Sequence, residues 1–130
     1  MKYLLIVPAL LIATPALAQS TSPSDLIQRY SAEAGRAADA GRGKSFFLAN
    51  HGSGKPDTPS CTTCHTKNPR SAGKARTGKT IDPLAPSANG ARLTDLAKVE
   101  KWFRRNCDSV LGRSCTAGEK ADVVAWLASQ

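Results

Sequence analysis

Beyond residue 18 the sequence has no apolar run approaching the ~20 residues that a membrane-spanning helix needs. Nothing in it alternates as a strand or reads as a hairpin. Aromatic residues are scarce at 5%, histidine occurs twice, and the single methionine is Met1. Acidic residues number 10 against 18 basic ones, for a net charge of +8. These absences exclude a polytopic membrane protein and an all-β domain. A hydrophobic fraction of 41% with 22% charged residues excludes an intrinsically disordered chain, and 130 residues are too few for two ordinary cores. No nucleic-acid-binding module accompanies the positive charge.

The N-terminus has the three parts of a secretory signal: Lys2, the apolar stretch from Leu4 to Ala13, and the small-residue triplet Ala16-Leu17-Ala18. Cleavage after Ala18 is expected, leaving a periplasmic domain over residues 19–130 with no stable membrane insertion. That portion keeps 17 basic and 10 acidic residues. An exported basic chain meets acidic protein surfaces rather than a genome. Export also permits disulfides and is where haem is covalently attached.

The expected fold class is all-α with long loops. Ser22, Pro23 and Asp25 supply a capping hydroxyl, a proline at the first helical position and an acid in the first turn, so a helix starts there and runs to about Gly35. Leu26, Ile27, Tyr30 and Ala34 form its apolar face. A second helix is expected over 39–49, with Gly43, Phe46 and Phe47. Residues 50–60 and 67–87 are rich in Gly, Pro, Ser and Thr and read as loops. Thr94 is the expected cap of a third helix reaching about Arg105, with Leu96, Val99, Trp102 and Phe103 in helical period. Thr116 and Glu119 form a capping box for a last helix. Four short helices and so much loop make a poor core, and such small domains usually need a staple or a bound group.

Cys61-Thr62-Thr63-Cys64-His65 is the C-x-x-C-H sequence that attaches haem c. Two thiols three positions apart on one helical turn reach the two vinyl groups of a porphyrin edge, and the next residue comes beneath the iron. Cys61 and Cys64 are therefore the expected thioether residues and His65 the proximal ligand. A thioredoxin-like C-x-x-C would want a βαβ context that is missing here, and zinc or iron–sulfur ligation by all four cysteines is a further alternative. A non-haem secreted domain stapled by disulfides is a third.

With this motif the chain resembles the class I c-type cytochromes. Gly43 and Phe47, with Val123 and Trp126, match the crossing of the first and last helices of that fold; the loop over 50–60 is longer than the usual connection. The sixth iron position is then open to question. Most electron carriers of this fold use a methionine sulfur there, and this chain offers none after Met1. The candidates are His51, a lysine, a weak oxygen or nitrogen donor, or no ligand. Cys107 and Cys115 can close a short disulfide ring beside Asn106, which spacing alone reads as a helix C-cap.

The runs Thr77-Gly78-Lys79, Pro83-Leu84-Ala85-Pro86-Ser87, Val99-Glu100-Lys101-Trp102, Arg105-Asn106-Cys107, Gly118-Glu119-Lys120-Ala121-Asp122 and Ala125-Trp126-Leu127 resemble the sphaeroides haem protein (SHP) family. The resemblance implies that Asn106 is the distal ligand of the oxidised haem and that Cys107 and Cys115 form the adjacent disulfide. It also implies Lys79 and Trp102 as haem contacts, and one haem c with its iron as cofactor. A weak amide ligand that leaves on reduction would open the iron to O₂, NO or CO. Members of the family take electrons from a dihaem cytochrome c, and Lys67, Arg70, Lys74, Arg76, Lys79, Arg104 and Arg105 are expected to rim the haem edge toward such an acidic redox partner. The alternative function is an oxidoreductase that turns over O₂, NO or a related small species. That chemistry wants a distal acid–base group, for which only His51 and Arg105 offer themselves.

Overall fold

The structure is a computed structural model that describes residues 19–130; the expected signal segment, 1–18, lies outside the described residues. In chain order the elements are α1 (Pro23–Ala34), α2 (Ala40–Leu48), α3 (Thr62–His65), β1 (Gly73–Lys74), β2 (Thr80–Ile81), α4 (Leu96–Leu111) and α5 (Ala117–Ala128). No helix among the described residues is long and apolar enough to cross a membrane.

α1 starts where the sequence signals it: Ser22 Oγ accepts from the Asp25 amide at 3.1 Å, and Pro23 opens the helix. The capping box of α5 is complete. Glu119 N donates to Thr116 Oγ1 at 3.2 Å, and Thr116 N donates to Glu119 Oε2 at 2.8 Å.

Three expectations are corrected. The cap of α4 is Asp95, whose Oδ1 accepts from Lys98 N at 3.1 Å, while Thr94 turns back and donates to Ala91 O at 2.7 Å. The helix also runs past Arg105 to Leu111 and stops at Gly112 in the left-handed region, so Asn106 lies inside it and caps nothing. Asn, Cys, Asp and Ser are weak helix formers, and burial of Cys107, Val110 and Leu111 carries the helix through them. Finally, residues 67–87 are not featureless: β1 and β2 pair antiparallel, Gly73 with Ile81 and Lys74 with Thr80. Two-residue strands are too short to show a period in the sequence.

α5 packs across both α1 and α2. Leu26 and Tyr30 of α1 are fully buried against Val99, Ala121 and Val124. Phe47 of α2 meets Trp126 with ring centroids 4.9 Å apart, alongside Val123 and Leu127. A third cluster surrounds the Cys107–Cys115 disulfide, which is formed as expected, and Phe103 touches all three clusters. One polar network ties three helices together. Tyr30 Oη donates to Glu100 Oε1 at 2.6 Å, and Lys120 Nζ donates to Glu100 Oε2 at 2.8 Å. Burial and then the Glu100 contact push the Tyr30 phenol well above its ordinary value, so it stays protonated.

The crossing of α2 and α5 depends on Gly43, because a Cβ there would occupy the space of the Asp122 backbone carbonyl. The buried Asp122 side chain closes the same crossing. It accepts from Arg36 Nη2 at 2.8 Å, Arg36 Nη1 at 3.0 Å, Arg42 Nε at 3.0 Å and Asp39 N at 2.7 Å. Burial alone would raise this carboxyl, but the converging donors outweigh it and hold Asp122 well below the usual carboxylate range.

Asp122→Asn is expected to cost about 2 kcal/mol of stability in denaturant titrations at neutral pH. A carboxylate whose pKa falls on folding stabilises above its unfolded pKa and loses that contribution as pH falls through its folded one. The gap between variant and parent should therefore narrow below about pH 4; a gap constant with pH would count against the charge as its source.

Candidate haem site

α3 is a single turn anchored from both sides. Ser60, buried just before it, accepts from Thr62 N at 3.2 Å and donates to Phe47 O at 3.4 Å, which docks the turn on the end of α2. His65 N reaches Cys61 O at 3.1 Å, and Thr66 ends the turn at a positive φ of 61°. Its hydroxyl supports that bend, donating to Asn68 O at 3.0 Å and accepting from Asn68 N at 3.2 Å. β1 then packs against α3.

Cys61, Cys64 and His65 line one cavity of about 1040 Å³. This lies at the upper end of the roughly 300–1,000 Å³ of ordinary ligand pockets. Both cysteines are free thiols. Burial raises Cys61 to about 11, so its thiol is neutral near pH 7. Burial, helped by the nearby Arg92 charge, lowers His65 to about 4, so its imidazole is neutral, as a metal ligand must be. Phe46 and Phe47 of α2, Val123 and Leu127 of α5, and Leu84, Val99 and Phe103 give the walls their apolar character. Two unpaired thiols on one turn, a neutral imidazole beside them and a large apolar cavity in front of all three fit haem c. Cys61 and Cys64 would hold its porphyrin edge and His65 its iron.

Asn106, Lys79 and Trp102 line the same cavity, so the structure brings together the expected site residues. Asn106 enters from α4, one residue before the disulfide, and no side-chain hydrogen bond ties its amide to another described residue. His51 is not among the lining residues. Its Nε2 lies 2.9 Å from Phe46 O, and its ring packs at a tilt of 54° against the Phe46 ring with centroids 4.8 Å apart. Phe46 itself, not His51, lines the cavity.

The expected basic rim is narrower than the sequence suggested. Arg76, Lys79 and Arg105 line the cavity, while Lys67, Arg70, Lys74 and Arg104 do not. Lys55, Arg92 and Lys98 join it instead. Arg92 was missed because its role is tertiary: Nε donates to Pro83 O at 2.9 Å and Nη2 to Asp82 O at 2.7 Å, folding the 82–92 segment into a wall. Trp102 lies under two cations, with Lys101 Nζ 5.5 Å and the Arg105 guanidinium 5.6 Å from its ring centroid.

An all-α chain wrapped on a cavity whose wall carries C-x-x-C-H defines a c-type cytochrome. Known proteins narrow the class. Residues 33–127 match the family model described as "Domain of unknown function (DUF1924)". The chain is 61% identical over 119 residues to cytochrome c-type protein SHP of Cereibacter sphaeroides (strain ATCC 17023), covering 92% of each. It superposes with a TM-score of 0.84 on the structure of oxidised SHP, an oxygen-binding cytochrome c, at 61% identity, spanning 86% of this chain and 100% of that one. It also resembles the solution structure of Methylophilus methylotrophus cytochrome c'', which is described as giving insight into haem-ligand detachment. There the TM-score is 0.70 and the identity 36%, over 83% of this chain and 93% of that one. The chain belongs to the SHP family of c-type cytochromes, with the class I cytochrome c fold.

Replacing both Cys61 and Cys64 by Ser is expected to abolish haem staining on a denaturing gel, where the parent keeps it. Haem that stays with the doubly substituted chain would exclude these thiols as its attachment.

Proposed function

We propose that the chain is an exported cytochrome with one haem c, bound through Cys61 and Cys64, that transfers electrons and takes up small diatomic ligands. Haem supplies an iron that changes oxidation state and can bind O₂, NO or CO at a free axial position. His65 holds the proximal side. Asn106 would supply the other side of a bound haem with a neutral amide, a weak donor that ferrous iron would release easily.

The observation that carries this reading is the contrast between Asn106 and His51. Asn106 borders the cavity with its amide unengaged, whereas His51 is turned to a backbone carbonyl outside the cavity lining. The only methionine is Met1, so a thioether ligand from the C-terminal half is excluded. Kinship supports it too, since the solved SHP is an oxygen-binding cytochrome and the solved cytochrome c'' bears on ligand detachment. Export with cleavage after Ala18 is part of this proposal, and rests on Lys2, the apolar residues 4–13 and the Ala16-Leu17-Ala18 triplet.

The cations at the cavity, Lys55, Arg76, Lys79, Arg92, Lys98 and Arg105, suit two tasks. Some would pair with haem propionates. The others would steer an acidic redox protein, a dihaem cytochrome c by family resemblance, toward the haem edge.

Optical spectra of the oxidised and reduced protein, with and without carbon monoxide, test the site. Asn106→Ala should change the oxidised spectrum, His51→Ala should leave it as in the parent, and the reduced parent should respond to carbon monoxide. A response to His51→Ala with none to Asn106→Ala would assign the sixth position to His51. Electron transfer with an acidic redox protein should slow as salt rises from about 10 mM to 1 M, as the Debye length shrinks from roughly 30 to 3 Å. A flat salt profile would remove the basic rim from docking.

A further inference from the structure

The loop over residues 50–60, which the proposed function leaves unused, is fastened onto the far end of α4. Lys55 N donates to Ser109 O at 2.7 Å, and Thr58 Oγ1 donates to the same oxygen at 3.0 Å. Thr58 Oγ1 and Ser109 Oγ lie 2.7 Å apart. Because the Thr58 proton is committed to the carbonyl, Ser109 Oγ is the donor in that second contact. Thr58 is 5% exposed, so water does not compete for these bonds. Gly54 brings the loop backbone directly onto the helix, for a Cβ at that position would enter the space of the Ser109 and Val110 backbone. The loop is itself closed by His51 N to Pro59 O at 2.8 Å and Thr58 N to Lys55 O at 3.1 Å.

Ser109 O needs these donors. The last carbonyls of a helix have no partner one turn on, and the Gly112 amide that ends α4 goes to Asp108 O. Ser109 also stands one turn beyond Asn106, on the same face of the helix. Lys55, Thr58, Asn106 and Ser109 all line the cavity. The contact therefore fixes the helical turn next to the residue read above as the distal ligand, from the side on which that residue works.

We infer that Thr58 is a positioning residue for Asn106: by pinning the Ser109 turn of α4 it sets how readily the Asn106 amide occupies the sixth iron position, and so how hard an outside ligand must compete for it. This rests on the distal-ligand reading. Loosening the turn lowers the effective concentration of the amide at that position, and an external ligand gains what the amide loses.

The test compares holoproteins with Thr58→Val, Thr58→Ser and Asn106→Ala, and the double variant of Thr58→Val with Asn106→Ala. Cyanide is the probe ligand of the oxidised form, and the optical spectrum is the readout. Thr58→Val should tighten cyanide binding about fivefold, the scale of one hydrogen bond, and shift the oxidised spectrum toward that of Asn106→Ala. Thr58→Ser, which keeps the hydroxyl, should restore the parent values. In the Asn106→Ala background Thr58→Val should add nothing, because the ligand it positions is gone.

A folded Thr58→Val protein with parental spectrum and cyanide affinity overturns the inference, and so does a Thr58→Val effect that persists in full without Asn106. An Asn106→Ala protein with a parental oxidised spectrum instead overturns the distal-ligand reading beneath it. If Thr58→Val yields no holoprotein, Thr58→Ala removes the same hydroxyl with less bulk. It should tighten cyanide binding in the same direction, and no change there overturns the inference as well.

Discussion

The contact on which the rest of the molecule depends is the crossing of α2 and α5. Gly43 lets the helices approach until backbone meets backbone, and the Asp122 carboxylate, buried at that point, gathers two guanidiniums and an amide N–H. A buried carboxylate is tolerable only because each of its oxygens is engaged. The arrangement sets the angle and height at which Phe47 and Trp126 meet. Phe47 is in turn the residue on which the C-x-x-C-H turn is set: its carbonyl accepts from Ser60, and its ring lies 6.2 Å from that of His65. A small shift at the crossing would pass to the His65 imidazole through Phe47.

The opposite wall is built differently. α4 carries its apolar residues to one side and continues through residues that would not hold a helix alone. What holds them is lateral: the disulfide to Cys115, the buried Val110 and Leu111, and the 50–60 loop on Ser109. The two walls thus have separate anchorages. The His65 wall rests on a helix crossing closed by charge, and the Asn106 wall on a helix end held by a covalent link and a few hydrogen bonds.

Much of this was legible beforehand, and for identifiable reasons. Capping residues act within one turn, so Ser22, Gly35 and Thr116 mark helix ends that the fold keeps. The haem-attachment pentapeptide is also local, because the reach of one helical turn dictates its spacing. Where competing partners lay far along the chain, reading the residues failed. The end of α4 at Leu111 rather than Arg105 was decided by packing rather than propensity, whereas Thr94 lost the cap to Asp95 through a local hydrogen bond to Ala91 O. The membership of the basic rim was likewise invisible: a lysine or arginine carries no local sign of whether its loop turns toward a cavity, and four of seven turned elsewhere.

By itself the sequence determined the helical class, the thiols and imidazole that can take a haem, and the lack of any methionine to complete the iron, since each is a matter of residue identity and spacing within a turn or two. Only the tertiary structure decided which candidates border the cavity, placing Asn106 in its wall and turning His51 to a carbonyl outside its lining. It alone disclosed that Thr58 and Ser109, 51 residues apart, share a proton network beside Asn106. Such pairings are settled by how helices pack and how buried carbonyls find donors, and neither leaves a mark on the local sequence.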